Sequence, residues 1–347
     1  MNMNPTLRLL LFIMLFLPFT GRCQLAESDK AIVDIGKQTN LQKLHQMLIK
    51  GRPGQQEQLR AFYVWTGHYI SYDIPASKAP RPEPAKQEPG AVLRSGKAIC
   101  HGYSRLFQEL CRLSGIPCML INGYARPSPE SGLYGHTWNG VYVNGEWQLV
   151  DATWGAGGIA DNGKFVKDFT EEYFLPKASA FMQTHYPFDP AWQLTSQPLT
   201  LKMWKKGNAT DTAEKGAAAF NFRDTLQQFL SNSDSITTRL ASTTRMVTLN
   251  PDDKLSKQEH AVALLAKANF HQLKGNTAIL QSNKQHGNRS ASPDRKTVLQ
   301  EAMVNYRIAL EYYKQINDYD SSFRNITGQS ISSATNNIAY IEQELKR

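Results

Sequence analysis

The chain has 347 residues, 41% hydrophobic, 10% aromatic and 20% charged, which is a globular composition with length for about two domains and excludes a fibrous or disordered chain. Lys and Arg number 39 against 30 Asp and Glu, a formal charge of +9, but no basic run concentrates it. The charge therefore argues against a nucleic-acid partner and supports at most weak attraction to an anionic surface or acidic substrate.

In chain order, Arg8 precedes an unbroken apolar run, LLLFIMLFLPF, at residues 9–19. It is shorter than the roughly 20 residues that span a bilayer and suits the apolar region of an export signal. The break at TGRCQ puts cleavage after Cys23, so residues 1–23 read as a removed signal peptide and the mature protein as periplasmic or secreted. Retention of Cys23 as an acylated lipoprotein residue is the lesser alternative, because Arg22 fits that pattern poorly. No later segment has the length and apolarity of a membrane helix.

Cys100, Cys111 and Cys118 remain, an odd number that in an exported chain signals a free, reactive thiol. Cys111 and Cys118 flank the turn SGIP and read either as a pair or as two buried free thiols. In both readings Cys100 is the odd one out.

The spacing predicts a helix over 41–49 and another over about 56–70, with Leu59, Phe62, Tyr63, Thr66, Tyr69 and Ile70 on one face. IPASKAPRPEPAKQEPG, with five prolines in seventeen residues, reads as a long surface loop. GKAICHGYSRLF at residues 96–107 then opens a helix at Cys100, whose apolar period through Tyr103, Phe107, Leu110 and Leu113 ends at Gly115 and Pro117. Three strand-like runs follow, CMLINGY, HTWNGVYV and EWQLVDATW, the last two flanking Asn144-Gly145, a strong two-residue hairpin signal.

That turn fixes a register. Val143 faces Glu146, Trp138 faces Asp151, and His136 lies diagonal to Asp151 on the same face, at the roughly 7–8 Å backbone spacing that side chains can bridge. Trp138, Tyr142, Trp147 and Leu149 share this face, which therefore reads as the inward one. A thiol would account for a His and an Asp placed there. A helix N-terminus offers free amide protons and a positive dipole end to a thiolate and to the oxyanion it generates. An imidazole can move the protons and a carboxylate can orient the ring.

GKAICHGYSRLFQELCRLSGIPCMLINGYAR, HTWNGVYVNGEWQLVDATWGAG and the upstream YVWTGHYISYD together resemble the transglutaminase-like superfamily, in particular its kyphoscoliosis-peptidase-type branch. The resemblance runs from about residue 55 to 195, taking in EEYFLPKASAFMQTHYPFDPAWQL. It implies an α+β, papain-like fold with a cysteine helix packed on an antiparallel sheet, and it places the nucleophile on Cys100, the base on His136 and the orienting acid on Asp151. Trp65, Tyr72 and Asp73 match family positions that would wall the cleft, although helix packing explains Trp65 equally well.

The remaining motifs are read blandly. His101 goes to the surface, since a helical neighbour points about 100° away. Asn139 falls on the strand face opposite His136 and stays outside the triad. ARPSPESGLYG, before His136, is expected to border the substrate groove with the proline-rich segment. WGAGG lacks the following helix of a phosphate loop. No HExxH, CxxC or clustered ligand set suggests a metal, and no cofactor is expected. Residues 24–195 therefore read as the catalytic domain and 196–347 as an all-α C-terminal domain that docks on it or binds a protein partner. LSKQEHAVALLAKANFHQLKGN and KTVLQEAMVNYRIALEYYKQI are its clearest helices, too far apart for a tetratricopeptide period. The expected function is that of an exported cysteine peptidase or amidase acting through an acyl-enzyme on peptide or isopeptide bonds of the cell envelope. An amine-accepting transglutaminase-type acyl transfer and a non-catalytic peptide-binding module are the alternatives.

Overall fold

A computed structural model describes residues 27–207, 220–230, 234–284 and 294–346. The expected signal peptide and Cys23 lie outside the described residues.

Helices α1 (Glu27–Val33), α2 (Leu41–Ile49) and α3 (Gln55–Tyr69) come first. The Asn40 side chain caps α2 by accepting from the Lys43 amide at 2.9 Å, the favoured use of Asn at this position. Strand β1 (Ser71–Tyr72) pairs in parallel with β2 (Lys97–Ala98). The proline-rich segment between them is not a plain loop. It forms α4 (Ile74–Lys78), a 3-10 turn at Pro84–Gln87 and α5 (Pro89–Ser95), each with a proline in its opening positions. Proline breaks a helix interior but suits a first turn, where its missing N–H costs nothing. Gly96, left-handed at φ +66°, ends α5.

Helix α6 (Cys100–Leu113) leads into β3 (Cys118–Ala125), β4 (Tyr134–Val143) and β5 (Glu146–Val150). Asn144 (φ 54°) and Gly145 (φ 82°) make the hairpin turn with both φ values positive, and the pairing runs from Val143↔Glu146 to Asn139↔Val150, the register read from the sequence. The last strand stops earlier than its run suggested. Asp151 leaves the ladder to cap the short helix α7 (Ala152–Gly155), so it sits one step past the final pair.

Next come β6 (Gly157–Ile159), β7 (Phe165–Lys167), α8 (Ala178–Phe181), β8 (His185–Pro187), a 3-10 turn at Pro190–Gln193 and α9 (Leu201–Lys205). The main sheet is antiparallel, in the order β5-β4-β3-β8. Both its faces are covered. Val141, Val143 and Val150 pack with Phe62, Tyr103, Phe107 and Leu110 of α3 and α6. Trp138, Trp147 and Leu149 pack with Phe181, Trp192 and Leu226 on the other side. The Trp138 face is thus buried as expected, but the cysteine helix lies on the opposite face.

The C-terminal part is helical: α10 (Phe222–Gln227), α11 (Ser235–Leu249), α12 (Lys254–Lys284), α13 (Arg295–Tyr319) and α14 (Arg324–Glu344). The long helices α12 and α13 pack along each other, with Tyr306 and Tyr313 of α13 donating hydroxyl hydrogen bonds to Asn276 at 2.6 Å and Asn269 at 2.7 Å. Their attachment to the sheet runs through β8 and its flanks. Arg245 makes a two-pronged ion pair with Asp189. Asn250 accepts from the Leu201 amide at 2.7 Å and donates to the Tyr186 hydroxyl at 2.9 Å.

Candidate active site

Cys100 is the first residue of α6, and Ile99 before it is extended (φ −84°, ψ 175°) and offers no side-chain cap. The opening amides of the helix are therefore unpaired by any capping side chain. Gln87 holds the approach by accepting from the Ile99 amide at 3.1 Å, and Gly102 is needed beneath it, since a Cβ there would come within 2.5 Å of the same Gln87 oxygen. The helix is pinned to β4 by Ser104, whose hydroxyl donates to the Thr137 carbonyl at 2.9 Å, and by Asn139, whose side-chain amide donates to the Ser104 carbonyl at 3.1 Å. These two bonds set the half-buried Cys100 against His136 and Thr137.

His136 Nε2 lies 2.7 Å from Asp151 Oδ2, and the Cys100 thiol is hydrogen-bonded to the same imidazole, which leaves Nδ1 for the sulfur. Asp151 is fully buried, and its other oxygen accepts from the amides of Thr153 at 2.8 Å and Trp154 at 3.3 Å. Burial alone would lower the pKa of His136, but the Asp151 charge and the hydrogen bonds to Asp151 and Cys100 overcome it and raise it to about 10. Burial would likewise raise Asp151, yet His136 and a second imidazole, His185, hold its carboxyl well below the usual range. At Cys100, burial pushes the thiol up and His136, with a backbone hydrogen bond from Thr137, pulls it below its ordinary value. A thiolate beside an imidazolium at a helix N-terminus is equipped for attack on a carbonyl, for proton delivery to a leaving group and for holding an oxyanion.

A cleft of about 730 Å³ opens on His136, lined by Tyr72, Tyr134, Trp154, Phe165 and Tyr173 among others. Its walls are aromatic, and burial carries the Tyr72 hydroxyl up to about 12, so it remains a neutral donor.

Residues 42–152 match the family model described as the transglutaminase-like superfamily. Human kyphoscoliosis peptidase is 33% identical over 222 residues, covering 61% of this chain and 32% of that protein, and the mouse protein is 30% identical over 249 residues, 69% of this chain and 37% of its own. The chain carries a transglutaminase-like domain of the kyphoscoliosis-peptidase type. It spans about a third of the length of these two relatives. A solved structure of a TGase overlays at a TM-score of 0.29 and 17% identity, over 45% of this chain and 40% of its own.

Within this transglutaminase-like domain the structure brings Cys100, His136 and Asp151 together. The other singled-out residues fall elsewhere. Trp65 is buried in α3 and donates its indole N–H to the Gly36 carbonyl at 3.0 Å, so of the two readings helix packing holds. Tyr72 does line the cleft, and Asp73 caps α4. His101 is half-buried rather than on the open surface. Asn139 points to α6, away from His136. Cys111 and Cys118 are free thiols, close enough to hydrogen-bond to one another.

Sequence reasoning missed His185. It is fully buried on β8, its Nε2 lies 3.2 Å from Asp151 Oδ2 and its Nδ1 lies 2.8 Å from the Thr184 hydroxyl. Its ring stacks on Phe181 at 4.0 Å. Burial outweighs the pull of Asp151 and lowers its pKa to about 4, so it is a neutral ring that donates to the carboxylate. The block THYPFDP carried it, but β8 joins β3 only after a long connection, and no hairpin fixes that register. His136, Asp151 and His185 also bring donor atoms within 4.8 Å of one another, a set that could hold a metal. Every one of these donors is already hydrogen-bonded to a neighbour, the His136 nitrogen facing sulfur to Cys100, which fits a proton-holding network better than a ligand set.

Proposed function

We propose that this protein is an exported cysteine hydrolase, a peptidase or amidase that cleaves peptide or isopeptide bonds of protein substrates through an acyl-enzyme. The observation that carries the reading is the run from the Cys100 sulfur through His136 to the buried Asp151 carboxylate, set at an uncapped helix start beside an aromatic cleft. The thiolate adds to the scissile carbonyl carbon, and the oxygen takes the negative charge facing the Cys100 amide. His136 gives its proton to the leaving nitrogen as the C–N bond breaks. Water then adds to the thioester while His136 takes its proton, and cleavage of the C–S bond releases the acid and restores the thiolate.

The test is the iodoacetamide alkylation rate of Cys100 against pH, with and without His136→Ala. Labelling with a midpoint below the usual thiol value of about 8.5, falling at least about tenfold at neutral pH in the variant, supports the proposal. An ordinary profile unchanged by the substitution would overturn it in favour of a peptide-binding module. With turnover in hand, a fluorescent primary amine separates acceptors: its incorporation into substrate would replace water with amine and make the protein an acyltransferase.

A further inference from the structure

Two clefts meet on β4. One is the aromatic cleft already described. The second, of about 440 Å³, lies toward α11 and α12, and Asn122, Trp192, Arg239 and Glu259 contribute to its walls. Gly135 and His136 line both. Gly135 is exposed, has ordinary backbone angles, and a Cβ built on it would meet nothing within 4 Å, so the sill between the clefts is low. The candidate nucleophile's partner therefore stands midway along a groove, not at the bottom of a blind pocket.

The second cleft also runs beside a strand edge. β8 pairs with β3 at Gly123–Ala125, the Phe188 amide carries that contact on to the Asn122 carbonyl, and the Gln108 side chain donates to the Cys118 carbonyl, so among the described residues the edge left without a strand partner on that side centres on Leu120, which lines the cleft with Asn122. An open edge is a template for an extended chain, whose own amides complete the ladder. Neither half offers a clamp for a chain terminus. The aromatic half is lined by no Asp, Glu, Lys or Arg. In the other half Arg239 is paired with Glu259 and Asp189 with Arg245.

We propose that the acyl donor is an internal segment of an extended polypeptide that crosses Gly135, held on one side by the aromatic cleft and on the other by the β3 edge and the α11–α12 wall. Cleavage then falls within chains and not at their ends, and the C-terminal helices form half of the substrate site. This rests on the hydrolase reading above.

The experiment incubates the full chain with a synthetic peptide library with free ends, long enough to fill both clefts at about 3.3–3.6 Å per residue, and maps scission by mass spectrometry. Expected are cuts with several residues on each side. Gly135→Phe, which plugs the sill, and Ser242→Trp, which fills the second cleft from α11, should each lower the ratio of scission to Cys100 alkylation at least about tenfold. Retention of the lowered alkylation midpoint set by His136 reports that the variant is folded. Cuts confined to chain ends, or an unchanged ratio in both variants, would overturn the groove while leaving the hydrolase intact. No scission of any peptide despite fast alkylation would overturn the hydrolase reading and this one with it.

Discussion

Asp151 uses its two oxygens for different purposes: Oδ1 caps α7 through the Thr153 and Trp154 amides, and Oδ2 receives two imidazoles. Asp151→Asn can keep the cap but presents N–H groups to His136. The imidazole must then carry its proton on the nitrogen facing sulfur, where it cannot take the thiol proton. Cys100 alkylation at neutral pH should fall at least about tenfold and its midpoint should rise toward about 8.5, measured as for His136→Ala. His185 gives a second prediction at this scale. Its folded pKa of about 4 lies below the ordinary 6.5, so unfolding takes up a proton between those values. The stability it contributes is present above pH 6.5 and is lost as pH falls toward 4, by about 3 kcal/mol if the full shift is realised. Urea titrations across that window should show the loss, and His185→Phe, which keeps a ring against Phe181, should flatten it. The two residues differed in legibility for a physical reason. An Asn-Gly turn of fixed length transmits register from Glu146 back to His136 and forward to Asp151, whereas His185 reaches the same carboxylate through a loop-rich connection whose length carries no register.

Among the elements, the hairpin and the turn after it carry contrasting glycines. Gly145 sits at φ +82° with open space around it, while a Cβ on Gly155 would lie 2.1 Å from the Tyr63 hydroxyl, which donates to the Thr170 carbonyl at 2.7 Å. Gly145→Ala should cost about 1–2 kcal/mol, the price of a left-handed L-residue, and leave Cys100 alkylation untouched. Gly155→Ala cannot be relieved without moving a fully buried tyrosine, so overpacking should cost it more, about 1–3 kcal/mol or beyond, and disturb α7 behind Asp151. Thermal melts with parallel alkylation distinguish the two. Elements were readable where one local rule dominated: α2 has the bounds its periodicity predicts, and α6 begins at Cys100 as expected. The proline-rich segment misled because counting prolines ignores their place, and each of its short helices has one in its opening positions, where proline is favoured.

At the level of the whole molecule, the C-terminal helices touch the sheet at its far strand and, through Leu226 of α10, on its Trp147 face. Asp189 follows β8 and is almost fully buried against Arg245. Arg245→Ala leaves that carboxylate with the Ala191 amide but no cation, which should cost about 1–3 kcal/mol in a denaturant titration. The composition and pattern shift after residue 195 announced helices there, and helices are what the chain forms. What the pattern could not convey is the contact between them and β8, since interdomain pairs such as Arg245 with Asp189 join polar residues with no periodic signal. The order of those contacts along the chain has a consequence for biosynthesis. Cys100, His136 and Asp151 leave the ribosome within one short stretch, but the strand that clamps Asp151 follows at His185 and its anchors only at Arg245 and Asn250. Domains assemble from the N-terminus as synthesis proceeds, so a nascent chain carries Cys100, His136 and Asp151 before the strand that brings His185 against Asp151 and the helices that anchor that strand. The second imidazole on that carboxylate is therefore the last part of the cluster to be set in place, after the three residues it completes.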